Sequence, residues 1–154
     1  GKEDGKWTWW HENGQKEAEE NYKDGKIIDG TVTIRDENGR IESEENFKDG
    51  KKDGKFTEWY KNGRIKSEEN WKEGKEDGKH TEWYKNGKKD REIYYKDGKF
   101  DGKWTWWYKN GKIKGESNYK DGELDGKDTE WSKYFRVKKE KFYKDGERIS
   151  GDSD

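Results

Sequence analysis

Apolar positions in this chain are mostly aromatic, and they fall in short segments separated by two kinds of glycine turn. The segments run about eight to ten residues and are rich in Trp, Tyr, Thr and Ile, a composition that predicts strands. One turn is Asn-Gly, at Asn13-Gly14, Asn38-Gly39, Asn62-Gly63, Asn86-Gly87 and Asn110-Gly111. The other is Asp-Gly, at Asp24-Gly25, Asp49-Gly50, Asp97-Gly98, Asp121-Gly122 and Asp145-Gly146, with Glu73-Gly74 as a variant. Both dipeptides suit two-residue hairpin turns, in which both central residues need positive φ. The pattern predicts about twelve antiparallel strands in one long meander.

The pattern repeats. Leading glycines at Gly5, Gly30, Gly54, Gly78, Gly102 and Gly126 lie 24 residues apart, except for 25 in the first copy. Six copies follow, at 5–29, 30–53, 54–77, 78–101, 102–125 and 126–150, with a short polar tail at 151–154. Three positions are constant in type. Thr recurs at Thr8, Thr33, Thr57, Thr81, Thr105 and Thr129; Glu at Glu19, Glu44, Glu68, Glu92, Glu116 and Glu140. A ring recurs at Tyr22, Phe47, Trp71, Tyr95, Tyr119 and Tyr143, always followed by Lys. A catalytic residue is needed once, a packing residue in every layer, so Thr57, Thr81, Glu68, Glu92 and the turn glycines Gly63, Gly87 and Gly111 read as structural.

Register follows from treating both turns as two-residue hairpins. In the third copy Tyr60 then faces Ile65, Glu58 faces Ser67 and Phe56 faces Glu69. Trp59 meets Lys66 and Thr57 meets Glu68 on the other face, and Glu68 meets Lys79 across the second turn. Such Thr, Glu and Lys pairs contribute about a few tenths of a kcal/mol each. Lys stems can cover the Trp column. The extra residue in Ile27-Ile28-Asp29 predicts a bulge. The sixth copy places Tyr134-Phe135 where Asn-Gly stands elsewhere and Ser132 where Tyr does, as an atypical terminal repeat would. The second copy has Val32, Ile34 and Arg35 where Trp or Glu, and then Trp, stand in other copies.

Composition first points the other way. Charged residues are 47% and the hydrophobic set 23%, which suggests disorder. Ten Trp, nine Tyr and five Phe resist that reading, because flat rings can build a sheet where no aliphatic core exists. Lys+Arg 36 against Asp+Glu 37 gives a net charge of -1, which argues against nucleic-acid binding by phosphate neutralisation. No apolar run approaches the roughly 20 residues of a transmembrane helix. Without Cys there is no disulfide or thiolate site, and without Pro every backbone N–H is available to a sheet. The chain starts at Gly1 and has no Met, which fits a processed, trimmed or designed chain and leaves the compartment open.

The stretch WYKNGKIKGESNYKDGELDGK, an aromatic pair, Asn-Gly, Glu-x-Asn-aromatic and Lys-Asp-Gly, resembles the MORN-repeat variant of bacterial YwqK-type antitoxin proteins. The resemblance implies an all-β fold: an elongated, single-layer antiparallel β-meander of about six MORN-like hairpins. It implies a scaffold for protein contacts, with lipid contacts also proposed for such repeats, and a toxin as partner if the antitoxin role carries over. The WYKNG hairpin also resembles, more distantly, choline-binding cell-wall repeats.

Chemistry beyond that is sparse. Carboxylates abound, but a hydrolase needs a pocket as well as two acids. His11 and His80 occupy non-equivalent positions with no Cys nearby. Ser43, Ser67 and Ser117 are strand residues, and Ser150 and Ser153 lie near the end of the chain. DGELDGKD at 121–128 lacks the ligand spacing of a calcium loop. We therefore assign no catalytic, metal or cofactor residue. The rings Trp7, Trp9, Trp10, Trp59, Tyr60, Trp83, Tyr84, Trp104, Trp106, Trp107, Tyr108 and Trp131 are candidates for binding or for packing on one another. Three readings stay open: a non-enzymatic scaffold for a protein partner, a carbohydrate or choline-like binding module, and a designed repeat without natural function. Oligomers through edge strands fit any of them.

Overall fold

A computed structural model of the protein describes residues 2–132, 134 and 138–151. The fold is all-β: antiparallel hairpins in a single layer that does not close on itself, with no helix among the described residues. The chain divides into two compact units, Gly1–Lys75 and Glu76–Asp154.

The first unit contains β1 (Gly5–Trp10), β2 (Lys16–Lys23) and β3 (Lys26–Ile27), in the order β1-β2-β3. It continues with β4 (Gly30–Arg35), β5 (Ile41–Lys48), β6 (Lys51–Trp59) and β7 (Ile65–Lys72), in that order. The extra residue near Asp29 does more than bulge a strand, because the hydrogen-bonded ladder stops between β2 and β4. Bonds from Ile28 N–H to Asn21 O (2.9 Å) and from His11 Nε2 to Arg35 O (2.8 Å) bridge the gap.

At the boundary lies β8 (Lys75–Glu76). The second unit has β9 (Gly78–Trp83), β10 (Lys89–Lys96), β11 (Lys99–Phe100), β12 (Gly102–Trp107), β13 (Ile113–Lys120) and β14 (Glu123–Leu124). β15 (Gly126–Trp131), β16 (Lys138–Lys144) and β17 (Glu147–Gly151) complete it. Its order is β9-β10-β12-β13-β15-β16-β17, with β11 on β10 and β14 on β13. Ser150 belongs to β17. Most of the Tyr134-Phe135 turn and of the 151–154 tail lies outside the described residues.

The strands exceed the expected twelve because the Asp-Gly turn does not lead straight into the next copy. It makes a two-residue return, as in Tyr95↔Phe100 and Lys96↔Lys99, and the chain then steps sideways at the leading glycine. Gly102 has φ 118°, a conformation that favours glycine, and a Cβ there would sit tightly, 3.2 Å from Tyr94 Cβ. The step changes the second pairing. The repeated Glu faces the next copy's Thr, not its Lys: Glu44↔Thr57, Glu92↔Thr105 and Glu116↔Thr129. Within a hairpin the expected Thr57↔Glu68, Glu58↔Ser67 and Phe56↔Glu69 pairs form. A Thr–Glu column results, running Thr81, Glu92, Thr105, Glu116, Thr129, Glu140 in the second unit. Thr81, Thr105 and Thr129 are buried in it.

The two turns differ in kind. At Asp-Gly both residues have positive φ, for example Asp97 at 51° and Gly98 at 82°, as a two-residue hairpin requires. At Asn-Gly only the glycine does. Gly63 N–H bonds to Tyr60 O and Tyr60 N–H to Arg64 O, both at 2.8 Å, which makes a three-residue loop with Gly63 as the left-handed closing residue. Tyr60 therefore sits at the turn and does not face Ile65. A bulge follows, so Trp59 pairs with Ile65 in place of Lys66. Asn is there for hydrogen bonding: Asn62 Oδ1 accepts from Arg64 N–H at 3.1 Å, and Asn86 Oδ1 from Lys88 N–H at 3.0 Å.

Successive copies are tied by an aspartate. The Asp before each leading glycine accepts from the N–H of the first Asp-Gly turn residue twenty positions later. Asp4 receives Asp24 (2.8 Å), Asp29 receives Asp49 (2.6 Å), Asp53 receives Glu73 (3.0 Å) and Asp77 receives Asp97 (3.2 Å). The turn glycine N–H meets a carbonyl beside that Asp, as in Gly98 to Glu76 O at 2.8 Å. At the last clamp, the hydrogen bond from Lys144, and with it the Asp145 N–H, holds the Asp125 carboxyl below its ordinary 3.8.

Two outcomes are expected. Gly63→Val should lower stability by about 1–3 kcal/mol through strain at φ 78° alone, since nothing lies within 4 Å of an added Cβ. Gly63→Asn should cost much less. Equal chemical-denaturation midpoints for parent and Gly63→Val would refute the turn geometry. A carboxyl with a depressed folded pKa contributes stability above its unfolded value that is lost as pH falls through the folded one. Asp125→Asn should therefore melt below the parent at neutral pH, and the two pH–melting curves should converge as pH falls below about 3.8.

Candidate functional site

Strand alternation sorts the rings onto two faces. One face of the second unit carries a continuous ring cluster. His80 stacks on Tyr95 (centroids 6.0 Å apart, 24°), and Tyr95 meets Phe100 at 5.0 Å. Phe100 meets Trp104 at 5.9 Å and Tyr119 at 5.3 Å. Trp104 meets Tyr119 at 5.8 Å and Trp106 at 5.5 Å. Offset and tilted pairs at these spacings contribute about 0.5–1.5 kcal/mol each beyond burial. Burial, more than the nearby Asp128 charge, raises the Tyr119 hydroxyl above its ordinary 10.0. Within the cluster, Trp104 Nε1 is buried and has no hydrogen-bond partner among the described residues.

Trp106 lies in this cluster because its cross-strand partner is Gly115. A Cβ at Gly115 would meet Trp106 Cζ2 at 2.1 Å, so the indole occupies space that a side chain would fill. The same cross-strand position is complementary in every copy. Trp9 faces Ala18 and Ile34 faces Ser43. Glu58 faces Ser67, which donates to it at 3.0 Å, and Glu82 faces Arg91 at 3.2 Å. Glu130 faces Lys139.

In the first unit, the equivalent face has fewer ring pairs. Trp9 tilts against Tyr22 at 6.5 Å. Lys52 Nζ lies 5.1 Å from the Phe56 ring and 4.9 Å from the Trp71 ring, with Glu45 2.9 Å away.

The opposite face carries the Thr–Glu column, flanked by lysines. Lys103 pairs with Glu116 and Lys127 with Glu140, both at 2.6 Å, and Lys55 with Glu68. Lys89 Nζ reaches Glu92 at 2.5 Å and lies 5.5 Å from the Trp107 ring, a cation–π contact. At the turn end, Tyr84 donates to Trp107 O (2.7 Å) and Tyr108 to Trp131 O (2.8 Å), linking successive copies. Burial, with a hydrogen bond to Asp90, pushes the Tyr84 hydroxyl up to about 12.

The predicted rings thus separate. Trp104 and Trp106 come together on the ring face, while Trp107 lies beside the Thr–Glu column. Trp83 and Trp131 close β9 and β15. Trp7, Trp9 and Trp10 on β1 are 43%, 36% and 60% exposed. Trp59 and Tyr60 line a shallow cleft of about 300 Å³ with Asp36 and Arg40. Trp10 lines another of about 500 Å³ with His11, Glu12 and Glu17. Five participants were not singled out from sequence as site residues: Phe100, Gly115 and, as ring-cluster members, His80, Tyr95 and Tyr119. Aligning the copies would flag Gly115, because glycine stands there only where Trp stands opposite.

Among the described residues no group of three or more His, Cys, Asp or Glu is placed to hold a metal ion, and no helix is long and apolar enough to cross a membrane. The hairpins define a repeat protein whose chemistry lies in its surfaces. The chain belongs to the MORN repeat variant family, whose model matches residues 3–24, 28–49, 52–73, 76–97 and 100–121. The sixth copy falls outside those segments. No curated protein matches the chain. Among solved structures, the chain is similar to one titled as the crystal structure of accessory secretory protein 1,2 and 3 in Streptococcus pneumoniae. Identity is 13% over 80% of this chain, with a TM-score of 0.21, and the chain spans 19% of that chain's length.

Gly115→Val should cost about 1–3 kcal/mol by driving the Trp106 indole from its place. Near-UV circular dichroism should lose Trp–Trp coupling while far-UV strand signal stays. An unchanged near-UV spectrum would contradict the packing of Trp106 over Gly115.

Proposed function

We propose that the chain is a non-enzymatic repeat scaffold that receives a protein partner on the ring face of the Glu76–Asp154 unit. The observation that supports it is the continuous cluster from His80 to Trp106, a broad surface rich in Tyr and Trp. Such rings are the side chains that most often carry binding energy at protein interfaces. Acids and bases around it, Glu82–Arg91 and Ser117–Asp128, are already engaged with one another and suit an orienting rim better than proton transfer. A toxin is the partner that the antitoxin resemblance implies.

Affinity capture tests the reading, with Trp106→Ala on the ring face and Trp107→Ala on the opposite face. A protein bound by the parent should be bound at least about tenfold more weakly, roughly 1.4 kcal/mol, by Trp106→Ala and nearly as well by Trp107→Ala. Equal loss from both variants would sink the assignment to this face. Quenching of Trp fluorescence by millimolar oligosaccharide, without any captured protein, would replace the partner with a glycan.

A further inference from the structure

The asparagines of all five Asn-Gly pairs are exposed, with Gly39 alone among the glycines half-buried, yet their side chains are held differently. Asn13 is anchored at both ends of its carboxamide: Oδ1 accepts from Gln15 N–H at 3.0 Å, and Nδ2 donates to Glu37 O in the next turn. Asn86 matches it, with Oδ1 bound by Lys88 N–H (3.0 Å) and Nδ2 bound to Lys109 O (2.9 Å). Asn110 and Asn62 have Oδ1 held by Lys112 N–H (3.0 Å) and Arg64 N–H (3.1 Å).

Asn38 is the exception. In its turn Asp36 takes the anchoring role, with Oδ1 accepting from Asn38 N–H at 2.8 Å and Arg40 N–H at 2.9 Å. Those backbone bonds, the Arg40 contact first, hold the Asp36 carboxyl below its ordinary 3.8. The Asn38 oxygen is left without a backbone donor, and its amide nitrogen contacts only the Asp36 carboxylate within its own turn. This turn therefore does not need the Asn38 carboxamide to keep its shape.

We propose that Asn38 is a site of spontaneous hydrolytic modification, in which water converts its carboxamide to a carboxylate. The peptide nitrogen of Gly39 attacks Asn38 Cγ and gives its proton to solvent. Nδ2 leaves as ammonia, and a cyclic imide forms. Water then opens the imide at either carbonyl, giving Asp or the β-linked isomer. The net exchange is one amide and one water for one acid and one ammonia. Glycine at the following position leaves the attack unhindered in every copy, so sequence alone ranks the five sites equally. The fold ranks them by how firmly each carboxamide is kept from swinging onto its own glycine nitrogen. In all five turns that nitrogen also donates within the turn, as Gly39 N–H does to Asp36 O at 2.8 Å, so this protection is common and the carboxamide anchoring decides. Conversion adds one negative charge beside Asp36 and Glu37 while sparing the Asp36 bonds.

The test is peptide mapping by mass spectrometry of the whole chain held in mildly alkaline buffer at physiological temperature, in the native state and in guanidinium. In the native state the Asn38 peptide should gain the mass of the amide-to-acid exchange several-fold faster than the Asn13 or Asn86 peptides. In denaturant the five rates should converge. Asn38→Asp should lose less melting temperature than Asn86→Asp, because it loses only its contact with the Asp36 carboxylate, whereas Asn86→Asp loses its bond to Lys109 O in the next copy. Equal native rates, a lead for Asn13 or Asn86, or no conversion of Asn38 while the denatured chain reacts would each overturn the proposal. The readout involves no partner, so it stands apart from the ring-face reading.

Discussion

Backbone N–H groups at the Asp-Gly turns point out of the strand ladder, and the preceding copy binds them. The aspartate twenty residues upstream does so, together with its neighbouring carbonyl. This constraint accounts for much else in the repeat. The Asp must precede the leading glycine, because the chain turns there through φ values such as 108° at Gly54 and 118° at Gly102 that present the carboxylate to the turn. The sideways step then brings Thr, and not Lys, opposite the repeated Glu. The clamps lie in exposed turns, so each contributes only the net value of a hydrogen bond, about 0.5–1.5 kcal/mol, at or a little above that of a surface ion pair.

Without a second layer, each copy must bury what it can against its neighbours within the sheet. The two faces do this differently. The Thr–Glu face is nearly uniform and serves every copy alike. The ring face varies, and it varies in matched pairs: Trp opposite Gly115 or Ala18, Glu opposite Ser67, Arg91 or Lys139. A large ring needs an empty partner, and a carboxylate needs a donor or cation. Each copy can therefore change its ring-face chemistry without disturbing the ladder beneath.

The hairpin architecture, the repeat length and the Thr–Glu pairing within each hairpin were legible because they follow from period and turn residues. The turn types were only half legible. Asp-Gly and Asn-Gly look alike in sequence, but Asp97 adopts positive φ while Asn86 keeps an ordinary conformation and spends its carboxamide on Lys88 N–H and Lys109 O. The bulge beside Trp59 follows from that longer loop and shifts its partner to Ile65. The ring cluster was half legible too. Its Trp members stand out, but Phe100 enters through a two-residue return strand that dipeptide spacing does not reveal.

The heavy charge then has a different meaning from the one composition suggests. The lysines that meet the repeated Glu are about half exposed, with Lys103 at 50% and Lys127 at 41%, so each pair contributes only about 0–1 kcal/mol. Their sum does not hold the sheet together. What is buried on this face is the Thr column itself, with Thr81 and Thr129 only 2% and 4% exposed. The charged heads stay in water on this face, and the apolar ring area lies on the other. On the proposed reading, binding specificity belongs to the positions that differ between copies, and stability to those that do not.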